Sequence, residues 1–213
     1  MSLVYYDINN EYGDAAVWKM IENQDFFKKK LKSIIPAQHL KSKKRTLEWL
    51  SSRYLLYRIE GIDPDSVYKD EFGKPHVKDS TMQISISHSN GYAAIAHSKG
   101  SIGIDIQTFV SKIKRIQSKY TTEEEMQLFR EINDEIRILH LIWTIKEAVF
   151  KLYGRKELPF KEGIIIDKVS FDGTSVYTSG NINKPNDKKN FKAVSRIFKE
   201  YCLSRSVYND VFL

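Results

Sequence analysis

One cysteine, Cys202, occurs among 213 residues, so the chain cannot form an internal disulfide and a reducing compartment is its expected home. Apolar runs are short. Ile138–Trp143 is among the longest and contains His140, far below the roughly 20 residues of a membrane span. The opening residues meet Asp7, Glu11 and Asp14 early, which fits neither a secretory signal nor an acid-poor transit peptide. These absences predict a cytoplasmic protein with no membrane contact. No glycine-rich phosphate loop is present, and His39, His76, His97 and His140 show no metal-ligand spacing.

The chain is 41% hydrophobic and 29% charged, ordinary for a globular protein, and its length allows one large domain or two smaller lobes. Lys and Arg outnumber Asp and Glu by 34 to 27, a net charge of +7 that favours a polyanionic partner. Nucleic acid is the first class to test. The basic stretch from Lys28 to Arg45 lacks the interleaved aromatics that stack bases, so a solvated helix face and loop explains most of it.

Val4–Ile8 reads as a strand, and helical spacing is expected near 16–31 and 43–60, the second ending at Gly61 before Pro64. Extended pieces follow at Ser66–Tyr68, Met82–Ser87 and Tyr92–His97, with Asn90-Gly91 as a hairpin turn. Ile102–Gln107 reads as a further strand, and Thr122–Glu125 as a capping box. A longer helix then runs to Gly154. Extended pieces are expected at Gly163–Phe171, Ser175–Thr178 and Phe191–Tyr208, with a polar loop from Asn181 to Asn190. Strand, two helices and a three-strand meander thus occur twice. The expectation is an α+β fold: a pseudo-twofold pair of lobes, 1–100 and 101–213, each a mostly antiparallel sheet packed with helices, with a ligand cleft between them and a monomeric state.

Two segments hold candidate chemistry: Ile84-Ser-Ile-Ser-His-Ser89 with Gly103-Ile-Asp-Ile-Gln107, and Trp143-Thr-Ile-Lys-Glu-Ala-Val-Phe-Lys151. Alternate strand residues share a face, so Asp105 and Gln107 present oxygen ligands together while Ile104 and Ile106 go to the core. Glu147 and Lys151 share a helix face with Trp143, and Lys146 is expected at the same charged rim. Taken singly, each has a plainer explanation: an exposed strand acid, or a surface ion pair worth about 0.3–0.5 kcal/mol. Neighbouring strand residues point to opposite faces, so neither Ser87 nor Ser89 can serve His88 as a hydrolase nucleophile.

The combination resembles the 4'-phosphopantetheinyl transferase superfamily, in its longer, two-lobed, surfactin-synthetase-activating type. Phe72-Gly-Lys-Pro75, an Arg45…Glu48…Arg53 helix, Tyr120–Glu123 and Leu158-Pro159-Phe160 stand in the same order, so the likeness spans about residues 40–172. The resemblance implies transfer of 4'-phosphopantetheine from coenzyme A to a serine of an acidic acyl or peptidyl carrier protein. It implies Mg2+, with Mn2+ as the alternative ion, held by Asp105, Gln107 and Glu147. It further implies Glu147 and Lys151 as catalytic residues, and Lys44, Arg45, Lys74, Ser87, His88 and Lys151 as coenzyme A contacts. Phe109–Tyr120 would dock the carrier. Gln107 departs from the family's carboxylate and opens the alternative of a coenzyme A-binding relative without catalysis. A basic nucleic-acid binder is the remaining alternative, and it gives Asp105, Glu147 and Lys151 no purpose.

Overall fold

The computed structural model of the chain describes residues 2–9, 11–32 and 42–209. The fold is α+β, with two antiparallel sheets packed with helices. The first sheet contains β1 (Leu3–Asp7), β2 (Asp14–Lys19), β3 (Val67–Lys69), β4 (Pro75–Val77), β5 (Gln83–Ser89) and β6 (Tyr92–Ser98) in the order β1-β2-β6-β5-β4-β3. The second contains β7 (Ile102–Thr108), β8 (Ile164–Asp172), β9 (Ser175–Lys184), β10 (Asp187–Ile197) and β11 (Tyr201–Tyr208) in the order β7-β11-β10-β9-β8. Without β1 the two orders are the same, which gives the predicted duplication a topological form.

Helices α1 (Gln24–Leu31) and α2 (Lys43–Glu60) follow β2, while α3 (Glu123–Leu128), α4 (Glu135–Tyr153) and the short α5 (Phe160–Gly163) lie between β7 and β8. Local chemistry sets their ends. Asn23 and Asp134 cap the first turns of α1 and α4 through their side chains. Thr122 and Glu125 form the expected reciprocal capping box on α3. Gly61 and Gly154 close α2 and α4 at φ of 67° and 68°, a left-handed conformation that glycine adopts without steric cost.

Three expectations need correction. The helical spacing near 16–31 covers a strand and a helix. Ala15, Ala16, Val17 and Trp18 are buried between β1 and β6, and the helix starts only after Asn23. Each meander has four strands rather than three, because the edge strands β3 and β4 are only three residues each and β10 and β11 are separate. The polar stretch from Asn181 to Asn190 is the paired end of the β9–β10 hairpin, where exposed polar residues alternate with buried Ile182. His39 and Lys41 lie outside the described residues.

The sheets meet through a core of Ala94, Ala96, Ile102, Ile104 and Ile106 with Val194 and Leu203. Small alanines on β6 let β7 lie close. Beside this core, the hydroxyls of Ser85, Ser87 and Ser89 accept the backbone N–H groups of Ile104, Ile106 and Thr108 at 3.0, 3.3 and 3.2 Å. Side chains thus complete a ladder between β5 and β7 that satisfies otherwise buried donors.

Candidate active site

On β7 the residues alternating with the buried isoleucines face α4. Gly103 makes this possible: a Cβ there would stand 1.9 Å from the Ala148 carbonyl oxygen. Two residues further, on the same face, Asp105 lies buried under α4 rather than on an exposed face. Its Oδ1 accepts Lys151 Nζ at 2.7 Å and Ser87 Oγ at 2.6 Å, and its Oδ2 accepts Gln107 Nε2 at 3.2 Å. Lys151 also donates to the Ile104 carbonyl at 3.0 Å. Glu147, one turn before Lys151, has its pKa raised to about 7, mainly by burial and then by the Asp105 charge, with Lys151 opposing.

The donor set of this corner is two carboxylates and an amide, and among the described residues no group of three His, Cys, Asp or Glu side chains gathers as a metal site. Oxygen donors suit a hard cation such as Mg2+, and the one ammonium beside the two acids, Lys151, leaves Glu147 with a raised pKa. The residues therefore fit a divalent ion on charge and donor type. Gln107 fits less well. Its Oε1 accepts Ser89 Oγ at 3.3 Å and its amide N–H is turned to Asp105.

Beside the corner opens a cavity of about 490 Å³, lined by α2, the β3–β4 turn, β5 and the end of α4. Lys151 lines it and also reaches Asp105, so this ammonium links cavity and acids. Arg53 is buried in its wall. The guanidinium sits over the Trp49 ring at 5.4 Å, its Nε has no hydrogen-bond partner, and desolvation lowers its pKa to about 10. Lys69, also on the wall, is pushed down by burial and then by the Arg53 and Lys151 charges. Arg53, buried with its Nε unsatisfied and with Lys69 and Lys151 on the same wall, suits an anion, since a buried unpaired charge is otherwise costly.

The coenzyme A positions named above divide between cavity and flank. Arg45, Lys74, His88 and Lys151 line the cavity. His88 is half-exposed, with Nδ1 3.6 Å from Glu48, and burial followed by the Lys151 and Lys69 charges lowers its pKa against the pull of Glu48. Lys44 is exposed, 3.9 Å from Glu48, and is not among the lining residues. Ser87 faces β7 and Asp105 instead of the cavity. Lys146 is not at the rim: it is fully buried, donating to Glu125 at 2.8 Å and to the Phe160 carbonyl at 3.0 Å. Lys146 lies about 100° round α4 from Glu147, far enough to turn its ammonium into the core against Glu125. Arg53 and Lys69 were missed as site residues. The Arg45…Arg53 helix pattern pointed towards Arg53, and nothing in the sequence pointed to Lys69.

Residues 101–204 match the family model of the 4'-phosphopantetheinyl transferase superfamily. The chain is 26% identical over 160 residues to the 4'-phosphopantetheinyl transferase gsp of Aneurinibacillus migulanus, covering 73% of this chain and 66% of that protein. It is also 26% identical over 94 residues to a Haemophilus influenzae protein named "Putative 4'-phosphopantetheinyl transferase", covering 41% of this chain and 40% of the relative. The chain thus spans less than two thirds of either relative's length.

Proposed function

We propose that the chain belongs to the 4'-phosphopantetheinyl transferase superfamily and that it transfers 4'-phosphopantetheine from coenzyme A to a serine of an apo carrier protein. The observation that supports this most is the junction at Lys151, where a cavity rich in cations meets buried Asp105 and half-buried Glu147. A ligand with several phosphates supplies the negative charge that Arg53 and Lys69 lack.

In the proposed reaction the serine Oγ forms a bond to the phosphorus bearing pantetheine. The bridging P–O bond of the pyrophosphate breaks, and 3',5'-adenosine bisphosphate leaves. Glu147, held near 7, is ionised in part at neutral pH and is the candidate acceptor for the serine proton. Lys151 is placed to neutralise charge on the departing phosphate, and Asp105 holds its ammonium in position. Mg2+ would be held by Asp105, Glu147 and Gln107, and when bound it supplies charge neutralisation at the pyrophosphate. Ser87 acts in this scheme through Asp105. The single, buried cysteine supports a cytoplasmic setting.

Gln107 supports a second reading, a coenzyme A-binding relative without catalysis. Its N–H on Asp105 Oδ2, with Lys151 and Ser87 on Oδ1, leaves both oxygens of that carboxylate engaged. Mass spectrometry of an apo-acyl carrier protein incubated with the chain, coenzyme A and Mg2+ or Mn2+ separates the two. Transfer predicts a phosphopantetheine adduct on the carrier. Coenzyme A binding without adduct on acyl and peptidyl carriers with both ions supports the second.

A further inference from the structure

The proposed chemistry uses Glu147 and Lys151 and leaves Lys146, beside Glu147 in the same helical motif, without a role. Its side chain is 0% exposed and that of its partner Glu125 4%. The ammonium donates to the Glu125 carboxylate at 2.8 Å and to the Phe160 carbonyl at 3.0 Å. Glu125 also accepts the backbone N–H groups of Ile166 at 3.1 Å and Thr122 at 3.3 Å. One buried ion pair thus ties α3, α4, the start of α5 and β8 together. Removing one partner of such a pair leaves the other charge buried and uncompensated.

The pair also fixes an aromatic stack on the site side of α4. The Phe160 ring stacks on Trp143 at 5.3 Å and on Phe150 at 5.5 Å, with interplanar angles of 22° and 29°. Trp143 and Phe150 stand two turns apart, about 10.5 Å along the helix, so the Phe160 ring fills the interval level with the Lys146–Glu147 turn. Trp143, Glu147 and Phe150 share one helix face. Asp105 and Lys151 hold each other at 2.7 Å. Glu147 has no such tether. Among the described residues it makes no hydrogen bond or ion pair, so its placement depends on how that face is packed.

We infer that Lys146 is a positioning residue: with Glu125 it clamps the Phe160 backbone, and the Phe160 ring, wedged between Trp143 and Phe150, sets the direction of Glu147. The kinetic consequence rests on the transfer reaction proposed above; the clamp does not. An ion pair that only stabilises the fold makes a different prediction.

Lys146→Met/Glu125→Gln removes both charges, so no buried ion is left unpaired, yet the Phe160 carbonyl loses its donor. Positioning predicts a kcat about tenfold to a hundredfold below wild type per folded molecule, with the KM for coenzyme A within about threefold. Neither Lys146 nor Phe160 lines the cavity. Phe160→Leu leaves the ion pair intact, so it does not depend on the double variant folding, and it should lower kcat to a similar degree. Phe160→Tyr keeps the ring and should retain most of the rate. A wild-type kcat in the folded double variant or in Phe160→Leu overturns the inference. The clamp is also tested without turnover, by fluorine NMR of protein carrying fluorotryptophan, with the Trp143 line assigned through Trp143→Phe. The double variant should displace and broaden that line. An unchanged Trp143 line contradicts the clamp even if the wild-type chain modifies no carrier. A displaced line beside an inactive wild type upholds the clamp and refutes the transfer reading instead.

Discussion

Counted from the first residues of β6 and β11, Ala16 and Trp18 on β2 stand where Asp105 and Gln107 stand on β7. Counted back from the closing glycines, Tyr54 on α2 matches Glu147 on α4, and Arg58 matches Lys151. The first corner is packed: Trp18 and Tyr54 meet edge-to-face at 5.3 Å, and Arg58 lies over the Trp18 ring at 5.9 Å. The second corner is charged, with Asp105 on Lys151 and Glu147 kept partly protonated. One frame, used twice, therefore holds a stabilising corner and a chemically loaded one. The duplicated backbone supplies positions, and a few side chains decide whether they add stability or reactivity.

The comparison can be broken most severely at the charged corner. Glu147→Ala or Asp105→Ala should reduce carrier modification by about 10³-fold while the protein stays folded, checked by adduct formation alongside circular dichroism. At the packed corner the effect should be the reverse. Trp18→Ala should cost about 3–5 kcal/mol in urea unfolding, with the rate per folded molecule unchanged.

A smaller effect concerns pH. Because the Glu147 pKa is raised from 4.5 to about 7, folding favours its protonated form. That stabilisation is complete below the unfolded value and is lost as pH rises through about 7, a change of about 3 kcal/mol. Unfolding of the metal-free protein across this window should show it, and Glu147→Gln should remove it. The smallest expected change is Gln107→Glu. The added carboxylate should tighten Mg2+ binding roughly tenfold by calorimetry, sharpening the contrast with Trp18.

Much of the frame was legible because it is written in local chemistry. The Thr122–Glu125 box, the Asn90-Gly91 turn, Gly61 and Gly154 each mark an element end through hydrogen bonds or a left-handed φ. Strand β2 was obscured because it is buried on both faces and shows no alternation. The β9–β10 tip was obscured for the opposite reason, being mostly polar and exposed. At the site, motif order brought Asp105, Glu147, Lys151 and His88 forward. The unsatisfied Nε of buried Arg53, the placement of Lys69 and the burial of Lys146 arise only when separate elements meet. Ser87 was visible as a motif residue, but its role beside Asp105 depends on the β5–β7 pairing.

The most direct test compares intact carrier masses after incubation with coenzyme A, Mg2+ and each of three proteins: wild type, Glu147→Gln and Trp18→Phe. The account predicts the phosphopantetheine adduct with wild type and Trp18→Phe, and none with Glu147→Gln. An adduct that persists in Glu147→Gln, or is absent from wild type with either Mg2+ or Mn2+, would contradict it.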